Sequence, residues 1–577
     1  MKDQPRSLAP ESSVPSKLGL ESLLRFDFYR NVQRRTLLTL LVWLVLKLSP
    51  SGQAALLTAS ITDADSGVAL PARVYIIDSS GRNHFVQSSS PEGTALTYRE
   101  AWVPMSESQD QHTTISAHPF EVDLVAGTYS IEIVRGKEYF PFCRTLEVGS
   151  DAINLNIRLR RWIDLGSRHW YSGETHVHRR HFELPNVMLA EDLNIAFPVT
   201  FWTTAAYEAP HKRPSTLRHP PSPFGPRIDH GTAPIVIDAE HIVIPRNTEY
   251  EIFSIGEKRH TLGAVFVLNH KTRFSEGMPP VKKIARLAHQ EGALLDLDKH
   301  SWPWAFMLAP VAGIDLFELG NNSVWRTKFG FTRSGKPASY MGIPTANGHM
   351  TEAAWLDYGF QSYYALLNCG LKLTPSAGTA SGVHPVPLGF SRVYVHCEDG
   401  FSADSWLAGI KHGRSFVTTG PMLFATVNDR HPSSLPEEAL QGPQVVTVTA
   451  SIHSANPVRA IEVILNGDII ENRHPINQQV EDGSYMTTLR VEKHIKTSSW
   501  IAVRCFTSLP DKRVRFAHSA PFYISIPGKP IKPKAAEKAF LIERMRAEIE
   551  RNKDLISTAA LAEFEEALEF YASLESR

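Results

Sequence analysis

Between residues 56 and 164 apolar and polar positions alternate in short runs, ARVYIID (72–78), FEVDLV (120–125), YSIEIV (129–134) and LNIRLR (155–160), separated by Gly, Asp and Ser turns. Period-two alternation bounded by turn residues predicts half-buried strands, and this stretch reads as an antiparallel β-sandwich. From 165 to 425 the pattern changes. Helical stretches precede apolar runs three times: 185–196 before PVTFWTT, 281–291 before ALLDLDKH and 351–367 before PSAGTAS. Such helix-then-strand units predict a parallel sheet, open or closed into a barrel, with the chemistry at the carboxyl ends of its strands. Over 426–526 the alternation returns to strands alone (VVTVTASI, AIEVILNG, WIAVRC, PFYISI), which predicts a second β-sandwich. Residues 527–577 begin with the linker PGKPIKP and continue as two amphipathic segments, 535–551 and 558–574, read as a helical hairpin. The fold class is thus multidomain, β units flanking an α/β unit.

Composition narrows the function. Lys plus Arg and Asp plus Glu are 60 each in 577 residues, so no net field recruits a polyanion and nucleic acid is not expected as a partner. Cys143, Cys369, Cys397 and Cys505 form no C-x-x-C pair, which argues against a zinc-thiolate or dithiol centre. Histidine is unevenly spread: twelve of the 24 fall between 166 and 300. At the N-terminus TLLTLLVWLVLK (36–47) follows Arg34 and Arg35 and precedes small residues at 49–55. That is the three-part pattern of an export signal, and the run is shorter than the ~20 residues of a membrane span. Residues 1–55 are read as a removed signal with its preceding basic region, and the mature chain as periplasmic or extracellular with no stable span; an uncleaved anchor is the alternative. The VQRRTLL context also loosely matches a twin-arginine signal.

The chemistry begins at GETHVH (173–178). His176 and His178 are separated by one residue, so on a strand both imidazoles project from one face and can grip one cation. The device recurs. Glu249 and Glu251 share a face in NTEYEIF, His260 opens the apolar strand TLGAVFVL, and Asp296, Asp298 and His300 share a face in ALLDLDKH. Burying such groups without partners costs several kcal/mol each, which metal binding, water or mutual pairing would offset. Imidazole and carboxylate without thiolate suit one or two divalent ions, Zn²⁺, Mn²⁺ or Fe²⁺.

The N-terminal order ASITDADSGVALPARVYIID, then VDLVAGTYSIEIVRGKEY, resembles the transthyretin-like carboxypeptidase regulatory domain. WYSGETHVHRR, NVMLAEDLNIAFPVTFWTTAA, RHTLGAVFVLNH, LLDLDKHSWPW, YYALLNCGLKLTPSAGTASGVHPVPLGFSRVYV and GRSFVTTGPML occur in the order seen in the CehA/McbA-like metallohydrolases of the PHP (polymerase and histidinol phosphatase) superfamily. The resemblance covers 166–425 and implies a distorted PHP-type (β/α)7 barrel. It implies His176, His178, Glu249 or Glu251, His260 and His300 as metal ligands. It also marks two departures: Ala380 stands where the last motif usually has aspartate, and Trp202-Thr203-Thr204 replaces a T-D-H motif. The reaction implied is metal-assisted hydrolysis of a small molecule, with an ester or carbamate favoured because few basic residues besides Arg179, Arg180 and Lys299 flank the ligands. Asp298 or His384 would manage protons. His270, Lys299, Trp302 and Asn321 are candidate substrate contacts. Asp315, Glu318 or His349 could supply a missing ligand. The rival reading is a degenerate binding protein that recognises carbohydrate or protein.

Overall fold

The computed structural model describes residues 54–102, 107–212, 227–333, 335–432, 443–509 and 513–577; the export-signal reading of 36–47 lies outside them. Among the described residues no helix is long and apolar enough to cross a membrane. The architecture is multidomain, with mixed α/β and β-rich parts.

The N-terminal alternation becomes two sheets on one core. Strands Gln87–Ser88, Phe120–Leu124, Ala55–Asp63 and Ile153–Leu159 form one; Ala95–Trp102, Ser108–Ile115, Ala72–Asp78, Gly127–Val134 and Phe142–Val148 form the other. In Gly127–Val134, Tyr129, Ile131 and Ile133 are buried while Thr128 and Ser130 face solvent. One register slip would therefore reverse the apolar face.

In the middle of the chain seven strands lie in the order Trp170–Val177, Ile195–Ala205, Asn247–Ile255, Lys258–Leu268, Leu294–Leu297, Leu316–Gly320, Thr374–Ala377. The seventh returns to the first: Ala380 N donates to His176 O at 2.8 Å and His178 N to Ser381 O at 2.9 Å. The expectation of a parallel sheet over 165–425 is corrected on both sides of Lys258–Leu268 and where Arg392–His396 pairs antiparallel with Trp170–Val177 and Ser415–Thr418. Asn247–Ile255 and Lys258–Leu268 are antiparallel, as are Lys258–Leu268 and Leu294–Leu297. Only Gly256 and Glu257 separate the two hairpin arms, whereas a parallel crossover needs a dozen residues or more.

The sheet continues beyond the seven. Trp170–Val177 also pairs with Arg392–His396, which pairs with Ser415–Thr418, which pairs with Val514–Ser519. The C-terminal strands therefore extend the central sheet directly. A second sheet, Met422–Val427, Gln444–Ser454, Tyr485–Ile495 and Gln478–Gln479, shares a core with them. Helices Ala535–Asn552 and Thr558–Ser573 bury Leu541 and Met545, and Ala560, Phe564, Ala567 and Tyr571, at the three- and four-residue spacing of one helical face. The second helix is tied to the body: Glu563 accepts from Val281 N and Lys282 N, each at 2.9 Å. These amides begin the helix Lys282–Gln290, where free N–H groups favour a carboxylate.

Candidate metal centre

Trp170–Val177 is buried along its whole length, so the polar side chains it carries must find partners inside the protein. His176 packs on Phe266, ring centres 4.4 Å apart, and His178 on Trp202 at 4.8 Å. The two Nε2 atoms lie 3.2 Å apart. From the third strand Glu249 brings Oε2 to 3.3 Å from His178 Nε2 and Oε1 to 3.9 Å from His176 Nε2. Neither Glu249 oxygen has a hydrogen-bond partner among the described residues. Two tetrahedral bonds of about 2.0–2.1 Å place their ligand atoms about 3.3 Å apart; one ligand atom from each of the three residues lies within 4.8 Å of the others, so the group could hold one divalent ion.

A second group shares His176 from its other side. Nδ1 lies 3.1 Å from Glu318 Oε2 and 3.9 Å from Asp298 Oδ2. Hydrogen bonding assigns the tautomer: Nδ1–H donates to Glu318, leaving the Nε2 lone pair toward His178 and Glu249. A carboxylate behind a ligating imidazole fixes its tautomer and raises its basicity. Arg227 Nη2 donates to His178 O at 3.2 Å and lies 3.3 Å from His178 Nδ1. Without an ion the His178 proton therefore sits on Nε2, between the two rings. Ligation through that nitrogen requires the proton to move to Nδ1.

Electrostatics follow from burial. Burial and then Glu251 drive the Glu249 carboxyl well above the usual range; burial and then Asp298 do the same to Glu318. Burial also raises Asp298, and it raises Asp296 to about 7. Burial, with help from Lys299, holds His176 well below the ordinary histidine value, which keeps it neutral. Lys299 counters the carboxylates. Its Nζ contacts Asp298 Oδ2 and lies 3.7 Å from Glu251 Oε1. Burial works against its ammonium, but Asp298, Glu251, Glu249 and Glu318 outweigh it and raise its pKa.

His260 is not with the ligands. It sits near the hairpin turn, six residues from Phe266, about 20 Å along an extended strand, and its Nε2 meets Asn552 Oδ1 of the tail helix at 2.7 Å. His270 has both nitrogens engaged, with Thr248 Oγ1 at 2.8 Å and Thr272 O at 2.7 Å, and burial lowers its pKa to about 4. It is a satisfied core histidine, without a nitrogen for substrate. His300 accepts at Nδ1 from Asn321 Nδ2, 3.0 Å, an amide oriented by Ser323 N on its oxygen. Its proton is therefore on Nε2, which has no hydrogen-bond partner among the described residues. His300 lies outside both ligand groups found among the described residues, and burial takes its pKa to about 3. Glu251 faces Lys299 and belongs to neither ligand group. Trp302 is partly exposed beside Phe253 and Lys299. Asn321 orients His300. Asp315 accepts from Leu295 N and meets His289, and His349 meets Arg333 and Thr332, so of the three reserve residues Glu318 alone joins the site.

Three further groups shape the site. Glu174, two residues before His176, accepts from Thr379 N at 2.7 Å and from Gly389 N, fixing the loop that closes the ring of strands. Burial raises it to about 8. Tyr98 of the N-terminal unit donates to His384 O at 2.5 Å and accepts from Gly382 N at 3.0 Å. Trp102 stacks on the His384 ring at 4.6 Å, and Asn322 Nδ2 lies 3.4 Å from His384 Nε2. His384 thus lies on a loop clamped by the N-terminal sheet, outside the two ligand groups. Glu174 was missed by the sequence reading, though its period-two spacing from His176 could have found it. Glu318 shows as one carboxylate in the apolar strand LFELG; Tyr98 carries no local signal.

Comparison with known proteins adds little. No family model matches the chain, and no curated protein matches it. A crystal structure from Bacteroides vulgatus, described as a two-domain protein containing a predicted PHP-like metal-dependent phosphoesterase, is 11% identical with a TM-score of 0.27, over 62% of this chain and 95% of that one. A likeness at that level sets neither fold nor activity here.

Proposed function

We propose that the chain is a metal-dependent hydrolase of the PHP superfamily, akin to the CehA/McbA-like group, exported and acting on an ester, carbamate or related bond of a small molecule. On this reading the seven central strands are a distorted (β/α)7 barrel between two β-sandwiches. The observation that carries the proposal is the buried group of His176, His178 and Glu249, with the two Nε2 atoms 3.2 Å apart, Glu249 Oε2 3.3 Å from His178 and Oε1 3.9 Å from His176, and neither carboxylate oxygen hydrogen-bonded among the described residues.

When bound, a divalent ion acts as a Lewis acid on the electrophile and makes water acidic enough to attack near neutral pH. The remaining work falls to the chain. Glu318 holds the His176 proton at Nδ1 so that Nε2 faces the ion. Asp298 keeps Oδ1 without a hydrogen-bond partner among the described residues, and its raised pKa suits it to accept and return a proton. Lys299 holds the other Asp298 oxygen in place. Trp302, partly exposed, offers an apolar face for substrate; Lys299, engaged with Asp298 and Glu251, is not free to contact it.

Ala380 and Trp202 support the rival reading of a binding protein, since they stand at positions where ligands are expected. Glu318 restores a carboxylate to the site, which favours the enzyme. Chelator-stripped protein reloaded with Zn²⁺ or Mn²⁺ and screened on aryl esters, carbamates and bis-aryl phosphates separates the two. Turnover that follows metal and is lost in His178→Ala supports the hydrolase; a folded protein that binds no metal and turns nothing over refutes it.

A further inference from the structure

The two groups of ligand-type residues meet at one imidazole, approached from both of its nitrogens. A neutral imidazole has one lone pair and one proton. With Nδ1–H given to Glu318 at 3.1 Å, only Nε2 can ligate, so His176 serves the His178 and Glu249 side and is closed to an ion on the Asp298 and Glu318 side. That second side still gathers acidic side chains: Asp298, Glu318 and Glu251 are all buried. Carboxylates so placed require a cation.

The cation is already there. Lys299 follows Asp298 just past the end of the strand Leu294–Leu297 and turns its ammonium inward, with only 11% of the side chain exposed. Nζ touches Asp298 Oδ2 and stands 3.7 Å from Glu251 Oε1. We propose that Lys299 is a resident cation in the place a second divalent ion would take, so that the centre holds a single exchangeable ion. This rests on the metal-centre reading of His176, His178 and Glu249, and adds to it the number of ions and the residue that sets it. An ammonium is a single charge with three donors and no open coordination position. It can neutralise and orient Asp298, but cannot polarise a substrate as a second ion would. Chemistry that needs two ions bridging a substrate is therefore outside this site, and reactions at a carbonyl-type centre served by one ion are within it.

The test is an ion count on the full chain. Protein stripped with chelator is titrated with Mn²⁺, whose preference for oxygen ligands suits a site made of carboxylates. Bound ion is measured by mass spectrometry after desalting and by calorimetry. Wild type is expected to bind one ion per chain, Lys299→Arg one, and Lys299→Ala two. Lys299→Met, which keeps the apolar stem, is read in the same way if the alanine variant fails to fold by thermal melt. Two ions in wild type, or one ion in both neutral variants, overturn the assignment of Lys299 while leaving the first site standing. No ion in wild type refutes the metal centre itself and this inference with it.

Discussion

Gly378 follows the seventh strand where it closes on the first, and a methyl group there would strike the centre. A Cβ built on its backbone lies 2.1 Å from His176 Cβ and 2.7 Å from Glu318 Oε1. Carbon atoms in contact sit about 3.5–4.0 Å apart, so Gly378→Ala demands a displacement of roughly 1.5 Å. His176 has little room to give: its ring lies against Phe266 at 4.4 Å and its carbonyl accepts from Ala380 N at 2.8 Å. A shift of that size breaks the 3.2 Å edge with His178 and the 3.1 Å bond to Glu318. Metal bonds tolerate about 0.2 Å, and losing the group behind a ligand alone costs about 10–100-fold in affinity. We expect Gly378→Ala to weaken Zn²⁺ binding at least about 100-fold, or ~2.7 kcal/mol, and to destabilise the metal-free fold by about 1–3 kcal/mol through overpacking. Calorimetry on chelator-stripped protein and urea unfolding measure the two. Gly149→Ala is the control, because nothing lies within 4 Å of its added Cβ. If Gly378→Ala matches wild type in Zn²⁺ affinity and stability, the placement of His176 against this loop is wrong.

Other outcomes follow from the same geometry. Tyr98→Phe deletes the donor to His384 O and the acceptor of Gly382 N, and should destabilise by about 2 kcal/mol in urea, with faster amide exchange confined to 380–386; unchanged exchange there would refute the clamp. His260→Ala should leave metal content intact and lower stability by about 1 kcal/mol through loss of the Asn552 contact; a loss of metal would return His260 to the ligand set. His518 is buried, accepting from Tyr364 OH and donating to Ser519 O, and burial lowers its pKa to about 3. The unfolded chain, with an ordinary value near 6.5, binds more protons than the folded one below that pH. Its contribution is thus complete above pH 6.5 and is lost as pH falls toward 3, by up to about 3 kcal/mol between pH 7 and 4.5. Urea unfolding across that range should show a shallower pH slope in His518→Gln; an identical slope contradicts the assignment.

The parts of the site that sequence made legible are those encoded by period two on one strand. His176 and His178 share a face because strand geometry requires it, and Glu249 and Asp298 stand out as carboxylates among apolar neighbours. What was not legible depends on direction and register. His260 lies close to Glu249 in sequence, but a two-residue turn reverses the chain and carries it to the tail helix. His300 shares the Asp296 and Asp298 face by parity, yet the strand ends at Leu297 and the following turn sends its ring to Asn321 and Trp355. Glu318 enters because the sixth strand pairs with the seventh, whose extension bonds to the first, an adjacency across 142 residues. The alternating runs at both ends of the chain foretold sheets, but not that Val514–Ser519 would pair with Ser415–Thr418 and make the C-terminal strands continuous with the centre.

Anomalous diffraction from crystals soaked in Zn²⁺ or Mn²⁺ tests the central claim most directly. A peak is expected about 2.0–2.2 Å from His176 Nε2, His178 Nε2 and a Glu249 oxygen. Those three residues without an ion between them, or an ion ligated instead by His260 or His300, would contradict it.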